Sequence, residues 1–296
     1  MDRPTVWLRM ATPFIAALAA APLARAAETT FATDVAVFHS SNLSNAQYSP
    51  DVRPDSAALF RAEIGPLFAP GASDTISVVA FARGELYRRY HGLDNAVVGA
   101  RASMRHKFGV GHQAPWLRIT LEASHDDYDD ALRDSNRLLL DAEFGVRYSE
   151  ALDLAAGIAY DRRYDNHGES LVPGIPGTVF DLRGFAGYAR AGYAFNDIVY
   201  GALRLGVRRG DVESTAQQSL PIFLASSAIA ADPVFGGDDL FAYRLRGTTW
   251  SGSTTASFAL DSRASLNLSY ADERTYGAYG NQYKNRIVTL LLAYRP

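Results

Sequence analysis

Cysteine is absent from all 296 residues of the chain. No disulfide can therefore hold the fold together, and hydrogen bonding and packing must do so instead. Beyond the first 26 residues the sequence also lacks any apolar run long enough to span a bilayer as a helix, and its mean hydropathy is −0.10. If the mature protein lies in a membrane, it must cross as strands.

The first 26 residues have the layout of a secretory signal peptide. Arg3 and Arg9 precede a short alanine-rich apolar stretch, which ends at Ala24-Arg25-Ala26. The alternative is an amphipathic anchor that stays attached. Cleavage after Ala26 removes three arginines and one aspartate, so the formal charge of −3 becomes −5. We therefore expect a single domain over residues 27–296, exported by the general secretory route, that does not bind nucleic acid.

Hydrophobic residues alternate with polar ones along most of the mature chain. In the segment 152–161, Leu154 and Ile158 fall on one face, whereas Asp153 and Asp161 fall on the other. A helical period would scatter these sets, so the pattern predicts half-buried strands. About twelve such segments begin near Thr33, Ala57, Thr75, Ala96, Pro115, Arg137, Leu152, Val179, Ile198, Leu240, Arg263 and Asn285.

The connections between the segments alternate between short and long. Short turns lie at 149–151, 195–197 and 261–263, whereas 40–56 and 209–239 are long. The segments 179–195 and 240–260 change phase partway, which suggests a bulge at a glycine. Each predicted strand that leads into a short turn ends near an aromatic residue, namely Phe68, Phe108, Tyr148, Phe195, Phe258 or Tyr294.

These features together predict an all-β fold, a transmembrane antiparallel up-and-down β-barrel of about twelve strands. Alternating loop lengths and an aromatic girdle are typical of such barrels. A soluble β-sandwich is the alternative, but its apolar faces point inward and it needs no aromatic at each strand end.

The last segment, "RIVTLLLAYRP", places Val288, Leu290, Leu292 and Tyr294 on one face. It resembles the C-terminal signature of Gram-negative outer-membrane β-barrels of the porin class, although Pro296 stands where that class usually ends in an aromatic residue. The resemblance implies insertion in the outer membrane by the barrel-assembly machinery, through the C-terminal strand. It also implies contact with outer-membrane lipid and lipopolysaccharide, and no cofactor.

If the apolar faces meet lipid, the opposite faces must line the lumen. Surplus arginines there favour a passive or weakly selective channel for small polar or anionic solutes, without enzymatic activity. The alternative is a non-conducting structural barrel or an accessory to polysaccharide or lipoprotein export. The apolar stretch 219–241 is expected to form a constriction, a plug or a contact with a partner. The predicted lumen residues are Arg61, Glu63, Arg83, Glu85, Arg101, Arg105, Arg118, Glu122, Arg137, Asp141, Glu143, Arg147, Arg204 and Arg208.

Two weaker candidate sites remain. His39 and Ser41 share a face of the first strand, as in two families of outer-membrane lipid hydrolases, which makes a lipid hydrolase a second alternative. Their position where a strand meets a loop favours ordinary polar roles. An acidic loop could bind a hard divalent cation, although a solvated loop is favoured because no recognised ligand spacing is present. Its candidate ligands are Asp126, Asp127, Asp129 and Asp130.

Overall fold

A computed structural model describes residues 28–165, 167–236 and 239–296. The proposed signal peptide lies outside the described residues. Within them the chain forms one antiparallel sheet of thirteen strands. The strands are β1 (Glu28–Ser40), β2 (Asp55–Phe68), β3 (Asp74–Tyr87), β4 (Asn95–Lys107), β5 (Trp116–Tyr128), β6 (Ser135–Arg147), β7 (Leu152–Tyr164), β8 (Leu182–Ala194), β9 (Val199–Gln217), β10 (Ser226–Ala231), β11 (Leu240–Ala259), β12 (Ala264–Gly277) and β13 (Gln282–Tyr294).

The sheet closes on itself as a twelve-stranded barrel. Val35 of β1 lies opposite Leu292 of β13 on one side and Phe60 of β2 on the other. The ring is completed by β9, which pairs with β11. Closure gives every barrel strand two neighbours, so the barrel has no unpaired edge. The predicted fold class, strand number and antiparallel order are confirmed.

The thirteenth strand, β10, lies outside this ring. It follows a short helix, α1 (Leu220–Ala225), and pairs with the beginning of β11, where Ala231 is opposite Phe241. The partner β12 joins β11 only from Gly247 onward. The strands β9 and β11 therefore extend together past the rim of the barrel, and β10 covers the extended part of β11.

Most strands begin close to the positions that alternation predicts, and β7 begins at Leu152 itself. Some boundaries differ. The strand β1 begins at Glu28, five residues before Thr33, and β9 continues to Gln217, into the long connection expected over 209–239. The strand β5 continues to Tyr128, so Asp126 and Asp127 lie in a strand rather than in the acidic loop where the sequence places them.

The bulges expected at a glycine of β8 and β11 are absent from the pairings of β8 with β7 and β9 and of β11 with β9 and β12. The pairing of β10 with β11 has a register shift, but it lies in β10, between Ser226 and Ala228. The register of β11 with β9 is continuous from Leu240 opposite Gln217 to Phe258 opposite Val199. The alternation of apolar and polar residues changes phase along β11 although the strand is regular. The reason is that its apolar residues face outward in one part of the strand and face the helix α1 and β10 in the other. Trp250 points outward and is 59% exposed, whereas Leu245 is 1% exposed and packs on the other face beside α1 and β10.

The outward face of the barrel is apolar. Val37, Ile158 and Leu205 are exposed on it, at 56%, 68% and 56%. Of the predicted aromatic residues near the short turns, five are exposed and Phe68 is half-buried. Within the three described stretches, no helix is long and apolar enough to cross a membrane.

The best-packed apolar clusters lie at the end of the barrel that carries the long loops. Val212, Ile229 and Tyr243 pack in one of them, and Val179, Ala228 and Ala242 in a second. A third joins Leu93, Phe235 and Leu240. The hydrophobic core therefore sits over one opening of the barrel, and the lumen beneath it carries the polar groups.

Candidate functional site: the lumen and its covered outer mouth

Ion pairs between strands that are not adjacent identify the inward face of the barrel. Arg101 on β4 reaches Glu63 on β2, and Arg190 on β8 reaches Glu143 on β6 with an Nε–Oε2 distance of 2.9 Å. Such contacts pass over the strand between, which is possible where side chains converge on the concave side of a curved sheet. This face is opposite the apolar one, as the period of two requires.

All fourteen residues predicted to line the lumen lie on this inward face, and most are ion-paired. Arg61 pairs with Glu63, Arg83 with Glu85, and Arg101 also with Glu122 at 3.8 Å. The remaining ion pairs are Arg118–Glu143 (2.8 Å), Arg137–Asp161 (3.9 Å), Arg147–Asp153 (3.3 Å) and Arg208–Asp161 (3.2 Å), and Asp141 accepts a hydrogen bond from the Tyr188 hydroxyl (2.9 Å).

Glu143 is the most highly coordinated carboxylate of the lumen. It is 2% exposed and accepts hydrogen bonds from Arg118, from two nitrogens of Arg190 at 2.9 and 3.0 Å, and from the Tyr188 hydroxyl at 3.2 Å. A buried carboxylate is tolerated when charged donors satisfy both oxygens. Two guanidinium groups share this one carboxylate, and the Tyr188 hydroxyl links it to Asp141, so the cluster contains two cations and two acids.

Two of the arginines predicted to line the lumen have no carboxylate within ion-pair distance among the described residues. Arg105 lies over the ring of Trp116, with its guanidinium carbon 4.7 Å from the ring centroid. Arg204 lies over the ring of Tyr188 at 3.9 Å. A cation–π contact of this kind contributes about 0.5–1 kcal/mol at an exposed site and leaves the donor nitrogens available. These two side chains can therefore accept a soluble anion.

The rings under these arginines lie flat along the barrel wall, over glycines of the neighbouring strand. A Cβ atom on Gly145 would come within 2.3 Å of the Trp116 ring, and one on Gly157 within 2.6 Å of the Tyr188 ring. Only glycine leaves room for this packing. The Trp116 ring therefore does not fill the lumen, and a cavity of about 200 Å³ lies beside it. The cavity is lined by Arg105, Trp116, Arg118, Asp153 and Arg190.

The lumen is divided into two chemically different walls. The ion pairs described above lie on β2 to β9, whereas the inward faces of β11 and β12 carry mainly hydroxyl and amide side chains. These are Thr249, Ser251, Ser253, Thr255 and Ser257 on β11, and Ser265, Asn267 and Ser269 on β12. A solute in the bore would meet guanidinium groups on one side and neutral hydrogen-bonding groups on the other.

The outer mouth is crossed by a structure that we call the outer cap, formed by α1, β10 and the projecting ends of β9 and β11. The cap also contacts loops on the opposite side of the barrel mouth, next to β2 and β3. Phe235 contacts the ring of Tyr90 with the centroids 5.1 Å apart, and Arg53 donates to the Phe235 carbonyl at 3.4 Å. Because β11 and β3 are five places apart in the ring, this contact spans almost the whole opening.

A buried ion pair fastens the cap. Asp232 is 0% exposed and accepts hydrogen bonds from Arg133 at 2.7 Å and from the Thr215 hydroxyl at 2.6 Å. Arg133 comes from the loop between β5 and β6 and also bonds Asp130. Burial by itself would lower the pKa of Arg133, but Asp232 and Asp130 raise it overall. The predicted inward-folding stretch is therefore a cap on the mouth that is fixed by charge to the opposite wall.

His39 and Ser41 do not form the pair that a hydrolase would need. The Nδ1 atom of His39 is 3.0 Å from the Ser56 hydroxyl on β2, and His39 points outward. Ser41 donates to Asn285 at 3.4 Å and accepts from the Arg286 backbone amide at 2.8 Å. Among the described residues no carboxylate is bonded to the His39 ring. These contacts agree with ordinary polar roles for His39 and Ser41 at the end of a strand.

The acidic stretch does not converge on a metal site. Asp126 accepts from the Ser124 hydroxyl at 2.9 Å, and Asp130 pairs with Arg133. In the described part of the chain, no group of three or more acidic, histidine or cysteine side chains is placed to hold a metal ion. Because β5 continues to Tyr128, it separates Asp126 and Asp127 from the loop residues Asp129 and Asp130.

Sequence reasoning missed Arg190, Tyr188 and Trp116. The first two lie on β8, where the phase change obscured which residues face inward. Trp116 has the same parity as Arg118 and Glu122 on β5, so strict alternation would have placed it in the lumen. Its stacking with arginine follows from tertiary packing.

The fold resembles that of known channels. An outer membrane channel from Pseudomonas putida F1 is similar with a TM-score of 0.56 and 10% sequence identity, over 93% of this chain and 98% of that one. The NanC porin is similar with a TM-score of 0.51 and 8% identity, over 88% and 98% of the two chains.

No protein-family model matches the sequence. No curated protein matches it either. At such low sequence identities the structural likeness establishes only the fold. An apolar outward face and a polar lumen are both features of this fold. The chain therefore has the fold of an outer-membrane β-barrel channel.

Proposed function

We propose that this barrel is a passive channel that favours small anionic or hydroxyl-rich solutes. One observation carries the proposal: Arg105 and Arg204 project from the charged wall without carboxylate partners among the described residues, each held by an aromatic ring. Arginines that line a pore favour anions because their charge compensates for the lost hydration of the solute. The hydroxyl-bearing wall of β11 and β12 offers hydrogen bonds to the rest of such a solute.

Planar-bilayer recording tests the proposal. In a potassium chloride gradient, the reversal potential of the wild-type protein should indicate a preference for chloride. The double variant Arg105→Gln, Arg204→Gln should lower the chloride-to-potassium permeability ratio by roughly twofold or more, because two unpaired charges leave the bore.

The matched control is Arg88→Gln, Arg89→Gln, which removes the same charge from exposed positions just beyond β3. It should leave the permeability ratio close to the wild-type value. A wild-type pore that prefers cations, or a double variant with unchanged selectivity, would overturn the proposed selectivity.

The outer cap supports a second candidate function, a non-conducting barrel with a structural or export-accessory role. The cap crosses the mouth and is fastened by the buried Arg133–Asp232 pair. Absence of current from both the wild-type protein and a variant with a loosened cap would favour this role over the channel.

A further inference from the structure

A group of charged residues on the outward face of β12 and β13 forms a feature that conduction does not require. We call it the outer basic patch: Asp272, Arg274, Lys284 and Arg286. Asp272 is directly opposite Arg286 in the register, and Arg274 is directly opposite Lys284. Arg274 and Arg286 share the single carboxylate of Asp272, at 2.9 and 3.6 Å.

The patch is short of negative charge. Its three cations face one acid, and the side chains of Arg274 and Arg286 are 50% and 61% exposed. No ion pair involves Lys284 in the described part of the chain, although a cation stands directly across from it. Like charges opposite each other on neighbouring strands are destabilising. An anion placed between Arg274 and Lys284 would remove this repulsion.

The patch lies at the outer edge of the apolar band. On β13 the outward side chains below Arg286 are Val288, Leu290 and Leu292, followed by Tyr294 at the end with the short turns. Eight residues separate Tyr294 from Arg286, which corresponds to about 20 Å along the membrane normal for a tilted strand. The apolar band of such barrels is about 25 Å tall.

Aromatic side chains mark the same level. Trp250 of β11 is directly opposite Arg274, and Tyr270 and Tyr276 lie on either side of Asp272 and Arg274 along the outward face of β12. All three rings are at least 44% exposed. Exposed tryptophan and tyrosine at the edge of an apolar band are typical of the headgroup region. The patch therefore faces lipid headgroups of the outer leaflet.

We propose that the outer basic patch binds a phosphate group of the phosphorylated glycolipid of the outer leaflet. A phosphate monoester carries a charge of about −1.5 to −2 at neutral pH and accepts several hydrogen bonds. This charge matches the excess of two positive charges in the patch. Arginine binds phosphate through two parallel hydrogen bonds, and lysine adds a point charge.

The outward face is not uniformly basic toward its outer edge. At the outer ends of β5 and β6 it carries Asp127 and Asn136, which are acidic and neutral. Exposed arginines also lie on the outward face of β9 and β11, but Arg246 is opposite Asp211 and Arg209 is opposite Thr248. The patch on β12 and β13 differs because one cation, Lys284, lies directly opposite another, so we expect the glycolipid phosphate to dock there.

The test is thermal stabilisation of the full barrel in detergent, followed by its heat-modifiable mobility on a gel. Lipid A with both phosphates, lipid A without phosphates and phosphatidylglycerol are added separately. Phosphorylated lipid A should raise the unfolding temperature of the wild-type protein clearly more than either of the other two lipids.

The variant Arg274→Gln, Lys284→Gln should lose most of this stabilisation while keeping the mobility of the folded barrel, because both side chains are exposed and the Asp272–Arg286 pair stays intact. The control Arg88→Gln, Arg89→Gln loses the same charge beyond β3 and should respond like the wild-type protein.

Equal stabilisation by dephosphorylated lipid A or by phosphatidylglycerol would overturn the proposal. An unchanged response of the Arg274→Gln, Lys284→Gln variant would do so as well. None of these outcomes depends on whether the lumen conducts.

Discussion

At the scale of single residues, glycine and aromatic side chains together keep the lumen polar without filling it. Trp116 and Tyr188 lie flat over Gly145 and Gly157, so the guanidinium groups above them project toward the axis. An alanine at either glycine would push the ring toward the bore. The electrostatic character of the lumen therefore depends on residues that carry no charge themselves.

Glu143 gives a prediction at this scale. The substitution Glu143→Gln should destabilise the barrel by about 1–2 kcal/mol, because Arg118 and Arg190 lose their shared charged acceptor but remain partly hydrated. It should also strengthen any preference for anions. Equilibrium unfolding in urea from lipid vesicles measures the first effect, and the reversal potential measures the second.

The control for this prediction is Glu122→Gln. Glu122 is 3.8 Å from Arg101, which also pairs with Glu63, so its removal should cost less than about 0.5 kcal/mol. Equal costs for the two substitutions would contradict the special role of Glu143.

At the scale of secondary-structure elements, β11 shows why a regular strand can have an irregular sequence. Its lower half exposes apolar side chains on the outward face, and its upper half contacts the cap on the inward face. Alternation by itself predicts the strand but not which side is covered at each level. The expected bulge was wrong for this reason, although the predicted strand was correct.

Truncation of an apolar side chain should have different effects in the cap and on the outward face of the barrel wall. Leu245→Ala should destabilise the cap by about 2–4 kcal/mol, because it leaves a cavity among Val212, Ile222 and Tyr243. Limited proteolysis of the intact protein should then cleave residues 218–239 faster, while the heat-modifiable mobility of the barrel stays unchanged.

The control is Leu205→Ala on β9, where the side chain is 56% exposed on the outward face. Proteolysis of the cap should be unaffected by this change. Loss of the folded barrel in the Leu245→Ala variant would mean that the cap and the barrel unfold as one unit.

At the scale of the whole molecule, the protein joins a hydrated charged lumen to an apolar cap. The barrel wall is stabilised by a continuous hydrogen-bonded ladder, and the cap is stabilised by buried side chains and the Arg133–Asp232 pair. Movement of the cap would change access to the lumen without breaking the barrel. We therefore expect the position of the cap to control access to the outer mouth.

Asp232→Asn tests this role. The substitution leaves the buried Arg133 without its charged partner on the cap, which should loosen the cap and raise the open probability of single channels several-fold. An equal loss of charge at Asp197→Asn, in the exposed turn between β8 and β9, should have no effect. Identical current records from all three proteins would show that the cap does not control access.

The sequence by itself determined the barrel, the approximate strand boundaries and the face of each predicted lumen residue. These properties follow from the local period of two, which a single strand expresses without reference to the rest of the chain. The same pattern placed Arg105 and Arg204 in the lumen, although their stacking on Trp116 and Tyr188 could not be predicted. The sequence resemblance to outer-membrane barrels agrees with the fold of the two similar structures.

Only the tertiary structure decided the rest. The place of β10 outside the ring and the hydrogen bond of His39 with Ser56 depend on the pairing of consecutive strands, whereas the contact of Arg133 with Asp232 joins residues 99 positions apart in the chain. Such contacts depend on the register at which the sheet closes and on how the long loops meet over the mouth. Alternation fixes the side of the sheet on which a residue lies, and closure of the barrel fixes its partner.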